Sequence, residues 1–157
     1  MVSTDEYVAL MRLNAEYAAV LDAGDWDRWP DFFTEACIYK LQPRENHDRN
    51  LPLATLSFES RGMLLDRVYG IKETLFHDPY YQRHVVGTPR ITGRRGNSIL
   101  AETGYAVFRT RQNELSEVLN VGRYVDEVVS TTDGLRFAAR VCVFDSEMIP
   151  NSIIYPI

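Results

Sequence analysis

Two histidines and an aspartate are the residues of this sequence best equipped for acid–base chemistry. His77 and His84 lie seven residues apart in a stretch rich in aromatic side chains. An aspartate at the end of the first helix, Asp22 or Asp25, could orient His84 as a general base. The tyrosines that could polarise a carbonyl group in such a site are Tyr39, Tyr81 and Tyr105. The alternative is structural: Asp25 caps a helix, and His84 makes buried hydrogen bonds beside Arg83.

The sequence predicts no metal centre in this chain. A mononuclear iron site needs two histidines and a carboxylate facing one point, and His77, Asp78 and His84 supply the residue types. A loop containing proline separates the two histidines, however, so their spacing does not favour a shared ligand position. A Rieske cluster needs two cysteines and two histidines, and neither Cys37 nor Cys142 has a histidine close behind it.

Composition excludes other classes of function. The net charge of −5 comes without a block of basic residues, which argues against nucleic-acid binding. No serine or cysteine lies in a nucleophile elbow, and no glycine pattern matches a phosphate-binding loop. The polar, acidic first residues do not resemble a signal peptide, and no apolar run approaches 18 residues. Cys37 and Cys142 lie in apolar runs typical of buried thiols, so we expect a cytoplasmic protein; the alternative is a disulfide between them.

The elements that position these residues form an α+β pattern within a single domain, 1–157. Ser3 and Glu6 form a capping box for a first helix that ends near Gly24. The remaining predicted elements are a short helix over 26–33, a strand at 37–42, a loop at 43–52, a strand at 53–58, a helix from 60 to 76, a strand after 80, a turn at 93–97, and strands at 99–111, 117–129 and 135–144.

This order predicts N-terminal helices packed on a strongly curved, mainly antiparallel sheet, a cone with a pocket at its open end. The tail, 145–157, is apolar, so we expect it to dock on its own domain or on another subunit. Aromatic side chains often anchor subunit interfaces. The residues that we predict for a subunit interface are Trp29, Tyr80, Tyr81, Arg83, Ile153 and Tyr155.

Three long segments carry a resemblance to a known family. They read DWDRWPDFFTEACIY at 25–39, RHVVGTPRI at 83–91 and CVFDSEMIPNSIIYPI at 142–157. With them, the chain resembles the small (beta) subunits of aromatic-ring-hydroxylating dioxygenases, which are Rieske non-haem iron oxygenases. Within that family, the strings at 40–46, 66–84 and 142–157 are most similar to the small subunit of salicylate 5-hydroxylase. The W-x-x-F-F and Arg-His elements are shared more widely across the cystatin-like (NTF2-like) fold.

The resemblance implies a complete functional setting. The fold would be the cystatin-like/NTF2-like cone, in a hexamer of three large and three small subunits that also contact one another. The Rieske [2Fe-2S] cluster and the mononuclear Fe(II) would lie in the large subunit, with electrons arriving from NADH through a reductase and ferredoxin. This chain would supply no catalytic residue and would support assembly of an oxygenase for the catabolism of a salicylate-like aromatic acid.

Two further functions remain open at this point. The first is a free-standing dehydratase or isomerase of the same fold, with Asp25, His84 and Tyr81 in the cone pocket. It requires that His84 and a carboxylate face one open cavity. The second is a small-molecule binding module without chemistry, which only the aromatic content favours.

Overall fold

A computed structural model describes all residues from Met1 to Ile157. Helices come first and long strands last, which confirms the predicted α+β order. None of the helices combines the length and the apolar composition that crossing a membrane would need. The helices are α1 (Thr4–Asp22), a 3₁₀ helix (Trp26–Phe32), α2 (Arg44–Asp48), α3 (Arg61–Tyr69) and a π-helical turn (Gly70–Thr74).

Seven strands form one strongly curled sheet that does not close into a barrel. They are β1 (Phe33–Pro43), β2 (Leu56–Phe58), β3 (Tyr81–Val86), β4 (Arg90–Arg95), β5 (Ser98–Thr110), β6 (Glu117–Thr131) and β7 (Gly134–Phe144). Their order in the sheet is β2-β1-β7-β6-β5-β3, and β4 pairs with the other end of β5. All pairs are antiparallel except β1 with β7, which run parallel. The sheet is therefore mixed, with a single parallel contact near its middle.

The start of α1 shows how local sequence fixes an element. The hydroxyl of Ser3 accepts a hydrogen bond from the Glu6 N–H at 3.1 Å, and the Glu6 carboxylate accepts one from the Ser3 N–H at 2.8 Å. This confirms the predicted capping box. Arg94 of β4 also donates to Glu6 at 2.6 Å, and the hydrogen bonds from Arg94 and Ser3 lower the pKa of Glu6 to about 2. The first turn of α1 is thereby tied to the sheet.

The largest differences from the sequence-based expectation lie in three segments. The predicted loop at 43–52 contains α2, which begins at Arg44 because Pro43 supplies an extended residue in front of it. The predicted turn at 93–97 shrinks to two residues, because Gly93 to Arg95 pair with β5. The predicted helix over 60–76 stops being α-helical at Tyr69 and continues as the π-helical turn.

The core lies between the helices and the concave face of the sheet. Inward-facing residues of β1, β5, β6 and β7 meet the buried side of α1 there. The tail ends inside this core, where Ile153, Tyr155 and Ile157 are buried. The sequence predicted that the tail docks either on its own domain or on another subunit. In the structure the tail docks on its own domain.

Candidate functional site

His84 and Asp22 form a buried carboxylate–imidazole pair. The ring Nδ1 of His84 lies 2.6 Å from Asp22 Oδ1, and the same carboxylate accepts the backbone N–H of His84 at 3.0 and 3.1 Å. β3 is an edge strand, so this N–H would otherwise have no partner in the sheet. Asp22 therefore fastens the end of α1 to the edge of the sheet. The His84 ring is fully buried, and its Nε2 has no hydrogen-bond partner.

The structure does not bring Asp25, His84 and Tyr81 together, which corrects the predicted acid–base site. Asp25 lies in front of the 3₁₀ helix, 3.8 Å from Arg28, and its side chain makes no capping hydrogen bond. Successive side chains of a strand point to opposite faces. Tyr81 is therefore on the outer face of β3 and 79% exposed, whereas His84 points inward. Of the two aspartates considered for His84, Asp22 is the one that the fold supplies.

Arg140 is completely buried inside the cone, for which the sequence predicted a pocket at the open end. Its guanidinium carbon lies 4.4, 3.8 and 3.9 Å from the ring centroids of Tyr17, Tyr124 and Phe137. Asp126 receives two hydrogen bonds from it, at 2.9 and 2.8 Å. Burial raises the pKa of Asp126, against the effect of Arg140. Burial alone would lower the pKa of Arg140, but the charge of Asp126 raises it above its usual value, so the guanidinium stays charged.

The tail closes the remaining space of the cone. The backbone N–H of Ile157 donates to the Tyr39 hydroxyl at 2.9 Å. Arg67 of α3 donates to the carbonyl oxygens of Ile153 and Ile154, both at 2.9 Å. Backbone polar groups that enter a core need such partners. The end of the chain is thus held by specific side chains of the interior.

Of the six predicted interface residues, three are buried, one is half-buried and two are exposed. Those buried within the chain itself are Trp29, Ile153 and Tyr155. Tyr155 stacks on Trp26 with 4.5 Å between the ring centroids, and half-buried Tyr80 packs against Tyr155. These side chains stabilise the chain's own core, which corrects the prediction for the buried three. Tyr81 and Arg83 remain exposed and available to a partner.

An apolar surface lies on the convex side of the sheet, around Tyr81. Cross-strand rows place Arg83 beside Phe108 and Val118, and Val85 beside Ala106 and Val121. Val118 is 62% exposed, and no helix covers this side. We call this surface the outer face; its apolar members are Tyr81, Val85, Phe108, Val118 and Val121. Contiguous exposed apolar surface of this kind marks interaction sites.

The remaining candidate groups have local partners. His77 contacts the Tyr155 hydroxyl at 2.9 Å and the Leu75 carbonyl at 3.0 Å. Neither cysteine has a histidine among its hydrogen-bond partners. Burial raises the pKa of Cys142 to about 12, so this thiol stays protonated. No three side chains of His, Cys, Asp or Glu converge on a point where they could hold a metal ion. The residues present therefore do not fit a Rieske cluster.

Comparison of the sequence with family models and with characterised proteins identifies relatives of this chain. The model of the SnoaL-like domain family matches residues 2–141. The small subunit of anthranilate 1,2-dioxygenase from Burkholderia cepacia is 34% identical over 145 residues, which are 92% of this chain and 90% of that protein. The subunit beta 2 of the terminal oxygenase component of terephthalate 1,2-dioxygenase from Comamonas is 29% identical over 150 residues, 96% of this chain and 97% of that protein.

A solved structure resembles the chain over its entire length. It is the beta subunit of a candidate aromatic-ring-hydroxylating dioxygenase from Novosphingobium aromaticivorans. The two chains superpose with a TM-score of 0.90 at 33% sequence identity, covering 100% of each. The curled sheet, the helices and the docked tail thus belong to a fold found in experiment.

Proposed function

Because the chain belongs to the small (beta) subunits of the aromatic-ring-hydroxylating dioxygenases, which carry a SnoaL-like domain, we propose that it is a non-catalytic subunit that supports assembly of an iron-bearing large subunit. The observation that carries this proposal is the occupied interior of the cone. Arg140 and the tail fill the space that a substrate would need. The chain contributes a surface rather than a reaction centre.

The absence of a donor set for iron agrees with this division of labour. The Rieske [2Fe-2S] cluster and the mononuclear Fe(II) are proposed to reside in the large subunit, in a complex of three large and three small subunits. NADH would supply electrons through a reductase and ferredoxin. The role of this chain's own residues is to keep the outer face rigid, through the long paired strands β5 and β6.

The substrate of the complex is proposed to be a salicylate-like aromatic acid. The relatives named above act on anthranilate and terephthalate, as their names state, and both compounds are aromatic carboxylic acids. The strings at 40–46 and 66–84 favour salicylate. Assays of the reconstituted complex with salicylate, anthranilate and terephthalate test this point. The proposed substrate is contradicted if the complex turns over salicylate at less than a tenth of its rates with anthranilate and with terephthalate.

Co-expression with the large-subunit gene is the experiment for the proposed role. We expect a complex of both chains in which all the iron follows the large chain, and an isolated small chain without turnover. Size-exclusion chromatography with light scattering and iron analysis measure both properties. Ring hydroxylation by the isolated chain would contradict the proposed non-catalytic role.

We expect Val118→Asp to abolish co-purification with the large subunit while leaving the small chain folded. Val118 belongs to the outer face, beside Phe108 of the adjacent strand, and is exposed, so a carboxylate costs little in the free chain but would be desolvated in an interface. Affinity pull-down measures binding, and circular dichroism measures folding. The matched control is Val8→Asp, which introduces the same change on the exposed side of α1. If both variants bind the large subunit equally well, the outer face is not part of the interface.

The Asp22–His84 pair allows a direct test of a catalytic role for His84. Its unpartnered Nε2 is the observation in favour of a general base, yet neither residue lines any of the main surface clefts. We expect His84→Ala to reduce stability and to leave the turnover rate of the assembled complex, per folded subunit, within about twofold of the wild-type rate. Loss of a general base would instead lower that rate by at least about a hundredfold. A hundredfold loss of turnover in a fully assembled, folded variant would revive the enzymatic alternative.

A further inference from the structure

A positively charged cleft lies between α1, the 3₁₀ helix and the start of β7. Its volume is about 430 Å³. The apolar floor consists of Leu13, Phe32 and Leu135. We call this cleft the arginine groove, after the arginines that line it: Arg12, Arg28 and Arg136.

The arginines of the groove lack strong partners within the chain. Arg12 makes no hydrogen bond and no ion pair, and Arg136 donates only to the neighbouring carbonyl of Leu135. Arg28 lies 3.8 Å from Asp25, a long contact between exposed groups. Two of the three guanidinium groups, those of Arg12 and Arg136, therefore have no carboxylate partner within the chain. Guanidinium groups favour carboxylates as partners.

The acids that line the groove do not neutralise it. Asp31 is engaged by Arg61 of α3 at 2.6 Å, outside the groove. Glu16 is the remaining carboxylate, so three arginines line the groove against one carboxylate that Arg61 does not engage. The groove therefore presents positive charge above an apolar floor.

A second exposed surface of the same chain has the opposite properties. The outer side of α3 and the π-helical turn carries Leu65 and Tyr69, which are exposed and one helical turn apart. Asp66 and Glu73 are exposed beside them, and neither forms an ion pair. We call Leu65, Asp66, Tyr69 and Glu73 the acidic helix face. It combines two apolar anchors with two carboxylates that have no partner.

We propose that the acidic helix face of one copy docks in the arginine groove of a second copy. The charges are complementary, and the apolar anchors match the apolar floor, as in other helix-in-groove contacts. Each surface carries an excess of one sign of charge, so neither pairs favourably with itself across a twofold axis. The contact is therefore head-to-tail, the type that generates a closed ring when the rotation between successive copies closes. It rests on the proposed subunit role and identifies how small subunits would contact one another.

Charge reversal on each surface, and then on both, tests the contact. One variant carries Arg12→Glu and Arg136→Glu, a second carries Asp66→Lys and Glu73→Lys, and a third carries all four changes. In sedimentation velocity of the isolated chain, we expect wild type to associate in a concentration-dependent way, more weakly at high salt. Each double variant should weaken association about tenfold or more, because like charges then face each other. The fourfold variant should regain it, because the charges are exchanged rather than lost.

A matched control variant separates this contact from a general effect of charge. Arg49→Glu with Arg95→Glu reverses two exposed arginines away from both surfaces and should leave association unchanged. A monomeric wild type at all concentrations, or a fourfold variant that stays dissociated, overturns the proposed contact. Co-purification of wild type with the large subunit is measured in parallel. If it succeeds while self-association is absent, the subunit role stands and this contact alone falls.

Discussion

Replacing Asp126 by alanine is expected to lower the free energy of unfolding by about 3–5 kcal/mol, because it leaves the charge of Arg140 buried without a counter-ion. Both side chains are completely shielded from solvent, and two hydrogen bonds join them. The three aromatic rings around the guanidinium attract the cation but cannot replace a carboxylate. Urea unfolding followed by circular dichroism measures the loss.

A neighbouring acid supplies the control for Asp126. Glu127 follows it in β6 and pairs with Arg95 at the surface, 3.0 Å apart, so Glu127→Ala should cost no more than about 1 kcal/mol. Asp126→Leu combined with Arg140→Met should recover much of the stability that Asp126→Ala loses, because it removes both buried charges. If Asp126→Ala and Glu127→Ala unfold at the same urea concentration, the buried pair contributes nothing to stability.

Gly122→Ala is expected to destabilise the chain by at least about 3 kcal/mol through a clash with the backbone of β7. A Cβ atom on Gly122 would overlap the carbonyl oxygen of Val143 and would lie 2.7 Å from the Cα of Phe144. Neither atom belongs to a flexible side chain, so β6 and β7 must separate locally. For a chain of this size, the melting temperature should fall by about 10 °C in differential scanning calorimetry.

Gly104 offers the same substitution on the adjacent strand without the clash. No heavy atom lies within 4 Å of the position that a Cβ atom would take on Gly104, since β5 is open on that side. Gly104→Ala should therefore change stability by no more than about 1 kcal/mol in either direction. Equal losses at the two glycines would show that chain flexibility, and not the approach of β7, explains the effect of Gly122→Ala.

Local signals in the sequence predict the elements well, because the forces involved act over a few residues. Ser3 and Glu6 mark the start of α1, and the helical region ends at Thr74, a few residues before Pro79 and β3. The segment that begins at Gly93 has the composition of a turn, because glycine has a low strand preference, yet Gly93 to Arg95 pair with β5. The α+β cone follows from the element order and from the family resemblance together.

The candidate site can be predicted only in part, because it depends on contacts between distant residues. Two aspartates near the end of α1 are equally good partners for His84 in the sequence, and only the position of β3 selects Asp22. Sequence reasoning missed Arg140 as a core residue, although a charged residue between apolar neighbours in β7 was the available signal. Its counter-ion, Asp126, comes from the facing strand, and the register of that pair cannot be deduced from either strand alone.

The parallel pairing of β1 with β7 has a consequence for biosynthesis. Phe33 pairs with Phe137, so the middle of the sheet cannot form until the ribosome has added about a hundred residues, which takes roughly 5–20 s. The hydrogen bond from the Ile157 N–H to the Tyr39 hydroxyl can form only after Ile157 has been added. Throughout that interval the nascent chain exposes the apolar side of α1 and of β1. Because slower translation lengthens this interval, it should lower the yield of soluble protein.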